Sequence, residues 1–167
     1  MDIIINKAAA QDAEQLLEYL KRIGGETDNL SFGFEGLGFS VGSESEYLES
    51  LNDSKDGVMF LAKHGEKIVG NASLNRYPRR MRHRGELSVT VLKEYWNQGI
   101  GSVLMEKTIE FAKGNGFDII DLQVRSDNLS AIHLYEKYGF KRIGEHPEFF
   151  KINNNSIAFV YMYLKVC

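Results

Sequence analysis

The stretch from Leu87 to Leu104 reads L-S-V-T-V-L-K-E-Y-W-N-Q-G-I-G-S-V-L and constrains the fold most. β-Branched residues alternate along its first part, which predicts a strand. A polar loop with two glycines follows, and an apolar helix then begins. A helix N-terminus leaves backbone N–H groups unpaired and carries partial positive charge. Glycines just before it let an anion such as a pyrophosphate approach the backbone closely. The segment is either an anion cradle behind a strand or a plain tight turn, and by itself it does not choose.

The remaining chain supplies elements to pack around this unit. Ile3–Ile5 reads as a strand and Ala9–Ile23 as a helix, with Ala13, Leu16, Leu17 and Leu20 at helical spacing. Gly33, Gly36, Gly38 and Gly42 punctuate an aromatic-bearing loop. Ser43, with Glu46 as reciprocal partner, predicts the start of a second helix. Val58–Lys63 and Lys67–Asn75 read as a hairpin about His64-Gly65, and Gly85–Leu92 as the strand above. Ile100–Lys113 is a helix presenting Ile100, Leu104, Thr108 and Phe111, ended by Gly114 and Gly116. Ile119–Val124 is a strand, Leu129–Tyr138 a helix stopped by Gly139, and Phe140–Ile143 and Ile157–Lys165 strands joined by a turn at Asn153–Ser156. Early hairpin-like strands and later strand–helix alternation predict an α/β fold, a mixed sheet with helices on both faces.

The length, 167 residues, suits one domain spanning 1–167. No apolar run approaches the roughly 20 residues needed to span a bilayer. The first residues, M-D-I-I-I-N-K, lack the pattern of a signal peptide, so the expectation is a cytoplasmic protein without a membrane partner. The single cysteine, Cys167, makes neither an internal disulfide nor a metal cluster, and no metal is expected. Residues 1–56 hold twelve acidic and four basic side chains, a balance of −8. That is either solvated surface or the lining of a site for a cationic substrate. Five arginines (76, 79, 80, 82 and 84) surround His83, but without interleaved aromatics in an acidic chain they do not read as a nucleic-acid site. A homodimer through the C-terminal strands or the arginine loop stays open.

The glycine loop is no Walker A motif, because no Gly-Lys-Ser/Thr follows, and Ser102–Met105 hold no third glycine for a dinucleotide fingerprint. The later stretch I-I-D-L-Q-V-R-S-D-N-L-S-A-I-H-L-Y-E-K-Y-G-F-K-R-I-G, Ile119–Gly144, adds a second motif. Together the two resemble the GNAT superfamily of acyl-CoA-dependent N-acetyltransferases. There a Q/R-x-x-G-x-G/A loop binds the coenzyme pyrophosphate, and an N-x-x-A-x-x-L-Y helix and G-F turn complete the cofactor site. Asn128, Ala131, Leu134, Tyr135, Gly139 and Phe140 stand at those positions. The likeness runs from about Gly85 to Gly144 and is loose in the N-terminal half. Trp96 departs from it, standing where Gln or Arg is usual.

The resemblance implies a mostly antiparallel sheet of six to seven strands and acetyl-CoA as co-substrate. It implies that backbone amides of Asn97, Gln98, Gly99, Ile100, Gly101 and Ser102 meet the pyrophosphate. It also implies a bulge in the strand at Val89, Thr90 and Val91 that frees an N–H for the thioester carbonyl. The amide-rich pantetheine arm would pair with that strand's edge, and Asn128 would contact it.

Tyr135 is the expected acid, since a phenol with a pKa near 10 stays protonated at neutral pH and can donate to a departing thiolate. Without the family match, Tyr135 is a core side chain and Asn128 a helix N-cap. Alkylamines are mostly protonated at pH 7, so a base is needed. Glu86 is the first choice, sharing a strand face with Ser88 and Thr90; Glu26, Glu35 and a water relay are alternatives. His133 is expected to face solvent. The expected activity is direct attack by a primary amine, a small cationic amine or a protein amine, in a ternary complex. The rival is a catalytically silent acyl-CoA-binding or regulatory module on the same fold.

Overall fold

The structure, a computed structural model, describes residues 2–167. Its strands are β1 (Ile3–Lys7), β2 (Gly57–His64), β3 (Lys67–Arg76), β4 (Arg84–Val91), β5 (Ile119–Arg125), β6 (Lys141–Ile152) and β7 (Asn155–Lys165). Its helices are α1 (Ala13–Glu26), α2 (Val41–Leu51), α3 (Ile100–Gly114) and α4 (Leu129–Lys137). The strands make one sheet in the order β1-β2-β3-β4-β5-β7-β6. Every neighbouring pair is antiparallel except β4 and β5, which run parallel. The mixed, mostly antiparallel sheet is the one expected.

Helices cover both faces because the middle strands alternate in what they present. Gly70, Ala72 and Leu74 of β3 share the face under α3, and Gly70 lets that helix come close. A Cβ there would lie 3.3 Å from Leu104 and 3.4 Å from Ile100. Ile100, Leu104 and Thr108 are buried as the spacing predicted, while Phe111 is only half-buried. On the other face, α1 buries Ala13, Leu16, Tyr19 and Ile23. The core runs between, with Leu61, Val69, Leu74, Leu104, Ile120 and Met162 almost fully enclosed. No helix among the described residues is long and apolar enough to cross a membrane.

Two boundaries move from expectation. Helix α2 starts at Val41, because the Ser40 hydroxyl, and not Ser43, caps it by accepting from the Ser43 N–H at 3.1 Å. Strand β6 runs far past Ile143 to Ile152. It is the outermost strand, mostly exposed, and its register shifts between His146 and Phe150 around Pro147. An edge strand tolerates both polar residues and a proline, which hides its period in the sequence. Asn153 and Asn154 make the following turn with φ of 49° and 67°, as a tight hairpin requires.

The arginine cluster is mostly structural. Arg76 bonds Asp56 at 2.9 Å, reaches the Asn115 carbonyl at 2.7 Å and stacks 3.8 Å over Phe117. Arg82 shares Asp56, and Arg84 pairs with Asp121 at 2.7 Å.

Candidate active site

The site begins where β4 and β5 part. Their pairing is limited to Arg84–Ile119, Gly85–Ile120 and Glu86–Asp121, although β5 continues along β7 to Arg125. Beyond Glu86, β4 has a partner only on its β3 side. The Tyr77 N–H donates to the Arg84 carbonyl and the Leu92 N–H to that of Val69, so even-numbered positions bond to β3. Val89 and Val91 therefore aim their backbone N–H groups into the gap. No bulge produces this edge: β3 and β4 pair one-to-one from Arg76–Gly85 to Gly70–Val91. Divergence of two parallel strands, and not a bulge, leaves these N–H groups without a strand partner.

Thr90 belongs elsewhere. Its Oγ1 donates to Asn71 Oδ1 at 2.7 Å and lies 2.8 Å from the Tyr19 hydroxyl, on the α1 face. Of the three expected edge residues, Val89 and Val91 face the gap and Thr90 faces the opposite cleft with Ser88.

The glycine loop closes one end of the gap. Asn97 and Gly99 both take left-handed backbone, φ 60° and 81°. Gly99 is the N-cap of α3 and has no side chain to cap it, nor is any residue of the first turn acidic. The first ladder bond is Val103 N–H to the Gly99 carbonyl at 3.1 Å. The N–H groups of Ile100, Gly101 and Ser102 thus point out of the helix with the positive end of its dipole behind them. The Gln98 side chain reaches back to the Glu94 carbonyl at 3.5 Å, a marginal contact.

Helix α4 stands beside α3. A Cβ on Gly101 would meet Leu134 at 3.5 Å, and the Tyr138 hydroxyl donates to Glu106 of α3 at 2.8 Å. Asn128 is the N-cap of α4, its Oδ1 accepting from the Ala131 N–H at 3.3 Å, which leaves its Nδ2 as a donor. Two turns on, Tyr135 is 8% exposed and packs against Phe140 at 5.9 Å. Its hydroxyl makes no hydrogen bond among the described residues. No buried side-chain oxygen there lacks a partner, so this hydroxyl keeps some accessible surface. Burial pushes the phenol up to about 12.

Glu86 sits on the other side of β4's plane, in a cleft of about 290 Å³ shared with Tyr77, Arg84, Asp121 and Tyr161. It faces solvent, yet partial desolvation, then the Asp121 charge, raises its carboxyl above the usual range. Asp121 is held by Arg84, whereas the Glu86 carboxylate has no hydrogen-bond or ion-pair partner among the described residues. The two alternative carboxylates each have hydrogen-bond partners. Glu26 bonds Arg22 and the Lys93 N–H, and Glu35 accepts from the Gly33 N–H at 3.0 Å within its own loop. His133 is exposed on α4 as expected.

A larger cavity, about 510 Å³, lies under α1 and α2 on the same sheet face. Ser88 and Thr90 form part of its floor, Leu30, Phe32 and Phe39 part of its walls, and Glu44 also lines it.

Comparison with known proteins fits this arrangement. Residues 28–140 match the acetyltransferase (GNAT) family. The chain belongs to that family. A GNAT-family acetyltransferase from Streptococcus pneumoniae superposes with a TM-score of 0.94 at 30% identity, over 98% of this chain and 99% of that one. The fold is also that of yncA from Salmonella typhimurium, solved with its cofactor acetyl-CoA. There the TM-score is 0.85 and the identity 17%, over 100% of this chain and 95% of that one. Streptothricin acetyltransferase A of Bacillus subtilis is 40% identical over 101 residues, 56% of this chain and 58% of that protein. N-alpha-acetyltransferase RimI of Mycobacterium tuberculosis is 31% identical over 93 residues, 55% and 57% of the two chains. The chain spans between 24% and 58% of the length of the first curated relatives it matches.

Within the GNAT pattern, Trp96 now has a role. Its Nε1–H donates to the Val91 carbonyl at 2.8 Å, the acceptor that the splay of β4 leaves free. The indole ties the start of the GNAT loop to the open strand edge, a task that an indole N–H can perform without the positive charge of arginine. No signal in the sequence announces this, because the bond exists only once β4 and β5 diverge. Glu44 and the cavity behind it were equally silent.

Proposed function

We propose that residues 1–167 form one acetyl-CoA-dependent N-acetyltransferase domain that acts on a primary amine by direct attack within a ternary complex. One observation carries this reading: the uncapped N-terminus of α3 opens beside the unpaired edge of β4. That pair of features fits coenzyme A, with negative phosphates at one end and an amide-bearing arm behind them. Bound acetyl-CoA supplies the acetyl group as a reactive thioester. The N–H groups of Ile100, Gly101 and Ser102 hold phosphate charge, with Asn97, Gln98 and Gly99 shaping the approach. The Val89 and Val91 N–H groups donate to the arm and to the thioester carbonyl, and Asn128 adds its Nδ2. Tyr135, kept protonated by burial, donates to the departing sulfur. Glu86 takes the proton of the incoming ammonium, directly or through water. The cleft on the α1 face admits the amine, a cationic molecule.

The test is release of free CoA thiol from acetyl-CoA in the presence of a panel of primary amines. Amine-dependent release is expected. Tight acetyl-CoA binding with no release for any amine would assign the chain to the silent acyl-CoA-binding class.

A further inference from the structure

The cavity under α1 and α2 holds a charge that the chemistry above leaves unused. Glu44 is 5% exposed, and its carboxylate makes no hydrogen bond or ion pair among the described residues. An unpartnered oxygen with no accessible surface is absent there, so both oxygens keep some, and Glu44 is among the residues lining this cavity. No lysine, arginine or histidine lines it. With no counter-ion beside it, partial desolvation raises the Glu44 carboxyl above the usual range. The cavity has apolar walls that include Leu30, Phe32 and Phe39, and polar groups at Tyr47, Asn71 and Ser73. A volume of about 510 Å³ is that of a small-molecule site.

Glu44 stands on α2, whereas the strand edge that would hold the thioester is on β4. A nitrogen seated on Glu44 is therefore held apart from the transfer position, and its carboxylate partner keeps it protonated. We propose that the acceptor is a small organic dication with an apolar body: one charged nitrogen seats on Glu44, the carbon skeleton packs against Phe32 and Phe39, and a second amine reaches β4 at Ser88–Thr90. The fate of the second nitrogen rests on the acetyltransferase reading; occupation of the Glu44 cavity does not.

Three probes separate the parts: p-xylylenediamine, benzylamine, which keeps the ring and loses one cation, and 1,4-diaminobutane, which keeps both cations and loses the ring. Binding to the full chain is measured by titration calorimetry without acetyl-CoA. The expected result is p-xylylenediamine at least about tenfold tighter than benzylamine, the worth of a hydrogen-bonded charge, and at least about fivefold tighter than 1,4-diaminobutane, from the buried ring. Glu44→Gln should bring the first ratio close to one. Phe39→Ala, at a half-exposed position, should shrink the second. Equal binding of the two aromatic amines, no binding of p-xylylenediamine at millimolar concentration, or a first ratio untouched by Glu44→Gln overturns the proposal. If these ratios hold but no amine releases CoA, the acetyltransferase reading fails and the dication site stands. If benzylamine and p-xylylenediamine bind alike yet both release CoA, the reverse is true.

Discussion

Gly99 and Gly101 stand two residues apart and should respond to alanine with opposite signs. Gly99 has φ 81°, and a Cβ there would meet nothing within 4 Å. The cost of Gly99→Ala is therefore conformational, about 1–2 kcal/mol for a left-handed residue. Gly101 lies inside α3 with ordinary helical backbone, and its Cβ would meet Leu134 at a comfortable 3.5 Å. Gly101→Ala removes a flexible residue from a helix and should stabilise by about 0.5–1 kcal/mol. For a domain of this size each kcal/mol moves Tm by about 2–4 °C. Thermal unfolding should fall by about 2–8 °C for Gly99→Ala and rise by about 1–4 °C for Gly101→Ala. Acetyl-CoA binding sharpens the contrast. Relief of strain at residue 99 would turn the N–H groups of residues 100–102, so its KM for acetyl-CoA should rise several-fold, while Gly101→Ala keeps its affinity. Shifts of the same sign and size in both variants would refute the conformational argument. An unchanged KM in Gly99→Ala would refute the cradle.

Tyr135→Phe keeps the ring against Phe140, so kcat should fall by about 10²–10⁴ with acetyl-CoA affinity retained; undiminished turnover removes Tyr135 as the acid. Because the phenol titrates only near 12, no alkaline loss of rate from Tyr135 is expected up to about pH 11. The Glu86 carboxyl is raised in the folded state, so its ionisation costs stability as pH climbs through its folded value. Glu86→Gln should be slightly more stable than wild type at pH 7 and equal to it below the ordinary carboxylate range, while its neutral-pH activity falls and partly recovers at high pH. An activity profile that is unaltered counts against the base. Trp96→Phe loses the bond to the Val91 carbonyl, about 0.5–1.5 kcal/mol, and should raise KM for acetyl-CoA; a KM that does not move would show that the tether is idle.

Much of the framework was legible along the chain. The periods of α1 and α3 arise from burial on one face, which local spacing records, while β2 and β3, buried on both faces, were legible as short apolar runs on either side of a Gly turn. The loop 97–102 and the Asn128–Tyr135 helix were legible because glycine and capping requirements act over a few residues. Less was legible where a second element supplies the partner. The polar edge strand β6 shows no period, since most of its side chains are exposed on either face. The cap of α2 fell to Ser40 instead of Ser43, both being serines that chemistry alone does not separate.

The sequence by itself determined the family pattern, the order of elements and the residues proposed to hold phosphate or carry a proton. These depend on side-chain type and short spacing. Only the tertiary structure decided how the strand edge opens. The expected bulge is absent, and divergence of β4 from β5 after Glu86 leaves Val89 and Val91 unpaired. It turned Thr90 to the α1 face and gave Trp96 its acceptor on Val91. It also set Glu44 unpaired in an apolar cavity. Each of these depends on which strand or helix lies opposite, which is fixed when the sheet assembles and not by the residues next along the chain.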